Sequence, residues 1–131
     1  MSEQPLRYLS VLDVIAMHQA IMARYNQDAL LTDKGEALLD GAMMRPQMAA
    51  HYEQADLAQQ AAQLITGIAQ AHPFVGGNKR AAFGAGIVFL QLNGYLVESR
   101  PREFGERIVA VLTGASLDDF AAWIRSNLVG A

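Results

Sequence analysis

His72-Pro73-Phe74-Val75-Gly76-Gly77-Asn78-Lys79-Arg80 is the stretch on which the reading of this 131-residue chain turns. A histidine stands before a glycine pair, and an apolar run from Ala81 to Leu92 follows. Glycines let the backbone take positive φ and bring its N–H groups close to a ligand, and the run reads as the helix that the turn opens. A helix N-terminus after such a turn binds anions, because its first N–H groups lack intrahelical acceptors and the dipole is positive there. Lys79 and Arg80 in the first turn oppose that dipole, so their placement points to an anionic ligand. Asn78 suits either a helix cap or a contact to a phosphate oxygen. His72 brings the side chain whose ordinary pKa lies nearest neutrality. One histidine beside a glycine turn is commonplace, whereas the whole string from His72 to Arg80 is far more specific.

Working outward, Leu57, Ala61, Leu64, Ile65 and Ile68 recur at helical spacing after Asp56, which predicts a helix to about Ala71 that delivers His72. The helix after the turn, from Gly77 or Asn78 to Asn93, is apolar on most sides and is expected to be the central buried one. Gly84 and Gly86 would admit a close neighbour, and Asn93-Gly94 stops the helix. Ser10-x-x-Asp13 resembles a capping box and opens a first helix over about residues 10–25. His18 falls on its apolar face and is expected to be buried and hydrogen-bonded to a neighbour. Thr32-Asp33 is expected to cap a second helix that ends at Arg45-Pro46, joined to the first by a surface loop. Residues 45–54 lack clean periodicity and read as a mobile flap, with His51 a solvated loop residue. Met43, Met44 and Met48 read as core filler.

Past Asn93-Gly94, Tyr95-Leu96-Val97 is long enough only for a token strand. Ser99 and Pro101 open a helix with Phe104, Ile108, Val109, Val111 and Leu112 inward, closed by Thr113-Gly114. Ser116-x-x-Asp119 begins the last helix, whose buried face comprises Leu117, Phe120, Trp123, Ile124 and Leu128. The expectation is an all-α fold: residues 1–131 as a single domain, about six helices around a central buried one.

With 52% hydrophobic and 18% charged residues, the chain has the composition of one globular core. A net charge of −3 leaves no electrostatic footprint for DNA or RNA, so no direct nucleic-acid partner is expected. There are no cysteines, which excludes disulfides and thiolate metal sites. Met1-Ser2-Glu3-Gln4-Pro5 lacks the basic and apolar regions of a leader, and no run is long enough to span a membrane; a cytoplasmic protein is expected.

The string from His72 to Arg80 resembles the signature of the Fic/Doc superfamily, His-x-Phe-x-Asp/Glu-Gly/Ala-Asn-Lys/Gly-Arg. Every position matches except Gly76, which stands at the acidic one. The lysine after the asparagine, the short chain and Phe83 in place of a further arginine are similar to the Doc branch, the death-on-curing toxins of toxin–antitoxin pairs. That resemblance implies His72 as the catalytic base, Gly77, Asn78, Lys79 and Arg80 as the phosphate-binding group, and Phe74 as a core residue fixing the turn. It implies ATP with Mg²⁺, whose motif carboxylate is lost at Gly76. It further implies transfer of the γ-phosphate to a protein hydroxyl, with translation elongation factor Tu as the target and translation blocked. Two alternatives are carried forward: AMP transfer as in the Fic branch, and a catalytically dead module that binds nucleotide or antitoxin. The family's inhibitory pattern, Ser/Thr-x-x-x-Glu-Gly/Asn, is not completed, since Ala37 follows Thr32 and Glu36. An antitoxin acting in trans is therefore expected.

Overall fold

The helix that delivers His72 is the one most of the others pack against. In the computed structural model, which describes residues 5–131, it runs Leu57–Ala71 (α3) and buries ten residues, from Ala58 to Ala69. Residues 1–4, part of the segment read above as lacking a leader, lie outside the described residues. Asp56 caps α3 with a reciprocal box: its carboxylate accepts from Gln59 N at 2.9 Å, and the Gln59 side chain accepts from Asp56 N at 2.8 Å. Around it stand α1 (Val11–Ala23), α2 (Gly35–Glu53), α4 (Asn78–Leu92), α5 (Pro101–Leu112) and α6 (Leu117–Ser126). The all-α expectation of about six helices therefore holds, with the centre in α3. The motif helix α4 is buried on one side only, leaving Val88 37% and Leu92 39% exposed. Gly86 makes the α3–α4 approach, since a Cβ there would collide with the Ile65 side chain.

Several local expectations are corrected. Pro46 does not end α2, which continues to Glu53, so no flap exists at 45–54 and exposed His51 sits on a helix. An interior proline costs a helix about 3 kcal/mol, and here packing on α3 outweighs that cost. Pro46 is buried, and Arg45 beside it lies across Gly67 of α3, donating to Gln63 Oε1 from Nε at 3.0 Å and from Nη2 at 2.8 Å. Of the three methionines on this helix, only Met43 is core; Met44 and Met48 are 54% and 48% exposed. Thr32 does not cap α2, whose N-cap is Lys34 without a side-chain bond. Leu128 is not part of α6 either: it begins a strand, β2 (Leu128–Gly130), antiparallel to β1 (Tyr95–Val97), with Leu96 opposite Val129. Val109 of α5 faces outward, while Phe104 and Ile108 are buried.

The capping box of α1 forms as expected, with Ser10 Oγ accepting from Asp13 N at 3.1 Å. Trp123 is half-buried, edge-on to Phe104, and donates its Nε1–H to Glu103. Among the described residues, no helix is long and apolar enough to cross a membrane.

Candidate active site

The segment 72–77 joins the C-terminus of α3 to the N-terminus of α4, and three structural neighbours hold it. The first is Asn78. Its Oδ1 accepts from Phe74 N at 3.0 Å and its Nδ2 donates to Phe74 O at 2.9 Å, so one buried amide closes the loop on itself. Both amide atoms face the backbone, which answers the choice left open by the sequence. Asn78 does not cap α4, whose N-cap is Gly77, and both ends of its side-chain amide are engaged by Phe74.

The second neighbour is the segment between α1 and α2. Leu31 bridges to Phe74, with Val75 N donating to Leu30 O at 2.8 Å and Thr32 N donating to Pro73 O at 2.9 Å. Thr32 Oγ1 adds a bond to Pro73 O at 3.2 Å. Gly35 is required there, because a Cβ would collide with the Pro73 carbonyl. The supposed plain surface loop thus forms one wall of the motif, which no spacing in the sequence announces.

The third is α1. His18 is fully buried, stacks on Phe74 with ring centroids 3.6 Å apart and contacts the Gly76 carbonyl oxygen through Nε2 at 2.8 Å. Burial was expected; the partner was not. A carbonyl only accepts, so Nε2 carries the proton, and Nδ1 is bare and without a partner among the described residues. Burial pulls the His18 pKa below its ordinary value, against the smaller raising effect of the Gly76 bond. Phe74 is 2% exposed, as its structural role requires.

On the outer side, His72 is exposed and ends α3 in the left-handed region, at φ 49° and ψ 55°. Asn78 Nδ2 lies 3.4 Å from His72 Nδ1, long for a hydrogen bond. A full bond there would put the neutral ring's proton on Nε2 and deny that nitrogen to a base; at this distance the amide orients the ring more than it sets the tautomer. Gly77 adopts φ +75°, and the amides of residues 77–80 have no acceptor among the described residues. These are the free donors an anion needs. Lys79 is exposed beside them. Arg80 points elsewhere: its guanidinium lies 3.7 Å from the Tyr25 ring centroid and contacts Gln27 Oε1 at 3.4 Å. So His72, Gly77 and Lys79 come together at the turn, whereas Arg80 is held at the end of α1.

Gly76 differs from its neighbour. An added Cβ would meet nothing within 4 Å, and its φ is not positive, so no backbone demand requires glycine. No set of three His, Cys, Asp or Glu residues that could hold a metal ion is found among the described residues. A Mg²⁺ bound through motif carboxylates therefore does not fit this donor set. Beyond Lys79 and Arg80 a groove of about 930 Å³ opens between α1, α4 and α5. Met17, Ile21, Phe83, Ile87 and Ile108 give it an apolar floor, and Arg24 and Arg102 add charge.

The histidine at a helix end, the glycine turn and the amides left without acceptors at the start of the next helix all fall within the stretch that resembles the Fic/Doc signature. The Fic/DOC family model matches residues 8–90, and the chain belongs to that family. It is also 32% identical over 110 residues to Protein kinase doc of Escherichia phage P1, covering 83% of this chain and 85% of that protein.

Proposed function

We propose that this chain is the toxin of a toxin–antitoxin pair and a phosphotransferase that moves the γ-phosphate of ATP to a protein hydroxyl. Translation elongation factor Tu is the first target to test, and blocked translation the consequence. The observation that carries this reading is the row of amides at 77–80, without acceptors among the described residues, beside exposed His72. In this scheme the target hydroxyl oxygen attacks the γ-phosphorus, the bond to the β–γ bridging oxygen breaks, and ADP leaves. His72 takes the hydroxyl proton. Phosphoryl transfer asks chiefly for positioning and charge neutralisation, which the amides and Lys79 supply; Arg80 contributes if it leaves Tyr25. Glycine at position 76 lowers the rate by removing the carboxylate.

The similarity to a protein named as a kinase supports phosphate over AMP as the transferred group. The apolar groove with an excess of basic side chains supports an antitoxin in trans that docks an acidic amphipathic segment beside Lys79. The open space at Gly76 favours one second reading, a binding module that has lost catalysis.

The test is incubation of the chain and its Gly76→Asp variant with elongation factor Tu, ATP and Mg²⁺, followed by intact-mass analysis of the factor. A gain of one phosphate that disappears with His72→Ala is expected, faster with Gly76→Asp. A gain of AMP would replace the proposal with the Fic-type reaction. No gain from either form, with growth of expressing cells also unaffected, would leave the binding module.

A further inference from the structure

A glycine pair is a poor way to hold an amide still. The peptide between Gly76 and Gly77 is trans, so its C=O and N–H point in opposite directions. Rotating that peptide by about half a turn would change ψ of one glycine and φ of the next, and glycine tolerates both signs of φ. In the flipped state the Gly76 carbonyl, the negative end of the peptide dipole, would face the anion. Nothing within the glycine pair itself prevents this, so a site that depends on the Gly77 amide needs a lock from outside the loop.

We propose that His18 is that lock: a positioning residue whose Nε2–H holds the Gly76 carbonyl inward and thereby aims the Gly77 N–H outward, beside the amides of Asn78, Lys79 and Arg80. The proposal rests on the phosphate-site reading given above. Three observations carry it. The 2.8 Å bond spans 58 residues of sequence, from the middle of α1 to the turn. The donor cannot wander, because the His18 ring is fully buried and stacked on Phe74 at an interplanar angle of 11°. The acceptor side is equally confined, since a Cβ at Gly77 would lie 2.5 Å from Met22 Sδ and 3.1 Å from His18 Nε2. Met22 and the positive φ thus favour glycine at the next position, and the His18 ring leaves little room there. His18 touches neither the nucleotide nor the target in this scheme; it acts through Gly76.

The test uses the full chain labelled with ¹³C and ¹⁵N and titrated with ATP in the absence of metal, reading the Gly77 amide and the Gly76 carbonyl carbon by NMR. His18→Phe keeps the ring on Phe74 and removes the donor. His18→Gln returns a donor at about the position of Nε2. In the starting protein ATP should shift the Gly77 amide. His18→Phe should bind roughly tenfold or more weakly, as expected for loss of one hydrogen bond to a charged group, and the Gly76 carbonyl signal should move with it. His18→Gln should recover most of the affinity. Thermal unfolding of each variant separates these effects from loss of fold, and a melting temperature that falls equally in both variants while only His18→Phe loses ATP is the pattern expected of a positioning role. Equal affinity in His18→Phe and the starting protein overturns the lock alone. No response at residues 77–80 of the starting protein overturns the phosphate site, and the lock with it.

Discussion

The two faces of the 72–80 loop are built in opposite ways. Its inner face is saturated: Asn78 closes on Phe74, His18 holds Gly76, Leu30 and Thr32 pair with Val75 and Pro73, and Met22 fills the space beside Gly77. Its outer face is open: exposed His72, amides with no acceptor among the described residues, Lys79, and a Gly76 with open space around it. The difference separates two requirements that a motif usually merges. The inner contacts make the loop a fixed shape whether or not it can turn over substrate. On the proposed reading, glycine at 76 would take away a carboxylate without loosening the fold, and substitutions on the two faces should fall into two classes.

The largest effect is expected from Asn78→Ala. It strips the Phe74 N–H and C=O of their partners in a buried setting, and each orphaned group costs about 1–3 kcal/mol. Stability should fall by roughly 3 kcal/mol in urea unfolding, with activity lost alongside. On the outer face the converse holds. Gly76→Asp should leave urea stability within about 0.5 kcal/mol, the usual range for an unencumbered surface position. Its Mg²⁺-dependent transfer should nevertheless rise by about 100-fold or more, the scale of a restored metal-held charge at a reacting phosphate. A Gly76→Asp variant that lost stability, or gained no activity, would break the separation.

Adjacent glycines sharpen the comparison. Gly77→Ala places a Cβ against Met22 at positive φ and should destabilise by about 2 kcal/mol, combining left-handed strain with overpacking. Gly76→Ala should be neutral to within a few tenths of a kcal/mol. Parallel chemical denaturation of the two variants reads the difference directly.

What the sequence disclosed divides along the same line. The outer face could be read as a candidate anion site because its residues are contiguous: a histidine, a glycine pair and Lys79 stand in one string, although Arg80 of the same string turns to Tyr25 instead. The helices were legible where caps and periodicity agreed, as at Ser10 and Asp56. The inner face was not, because its partners other than Asn78 are remote, as with Thr32 and His18 at 41 and 58 residues away, and no local pattern encodes the pairing. His18 could be placed in the core from its spacing, yet its partner could not be named. Pro46 misled for a related reason: its helix-breaking tendency is local, whereas the burial that overrides it comes from α3. The same packing explains why α3, and not the more apolar-looking α4, is central.

The smallest expected effect concerns pH, and it belongs to the inner face. His18 is neutral in the fold, with burial lowering its pKa, while the unfolded chain returns it to about 6.5. The unfolded state therefore binds a proton that the native state refuses, and stability rises with pH through that window. The His18 contribution is complete above about pH 6.5 and is lost as pH falls toward its lowered native pKa, with a slope of at most about 1.4 kcal/mol per pH unit. The carboxylates Asp13 and Asp56, both held below their ordinary values, add losses of the same sign at lower pH, so the native chain alone does not isolate the histidine. The difference between the native chain and His18→Phe does: it should shrink between pH 7 and pH 5, because only the native chain carries the titrating ring. Urea unfolding at half-unit pH intervals measures it. A difference that stays constant across this range would mean that the inner face accommodates the charged ring, and that the bare Nδ1 finds a partner when protonated.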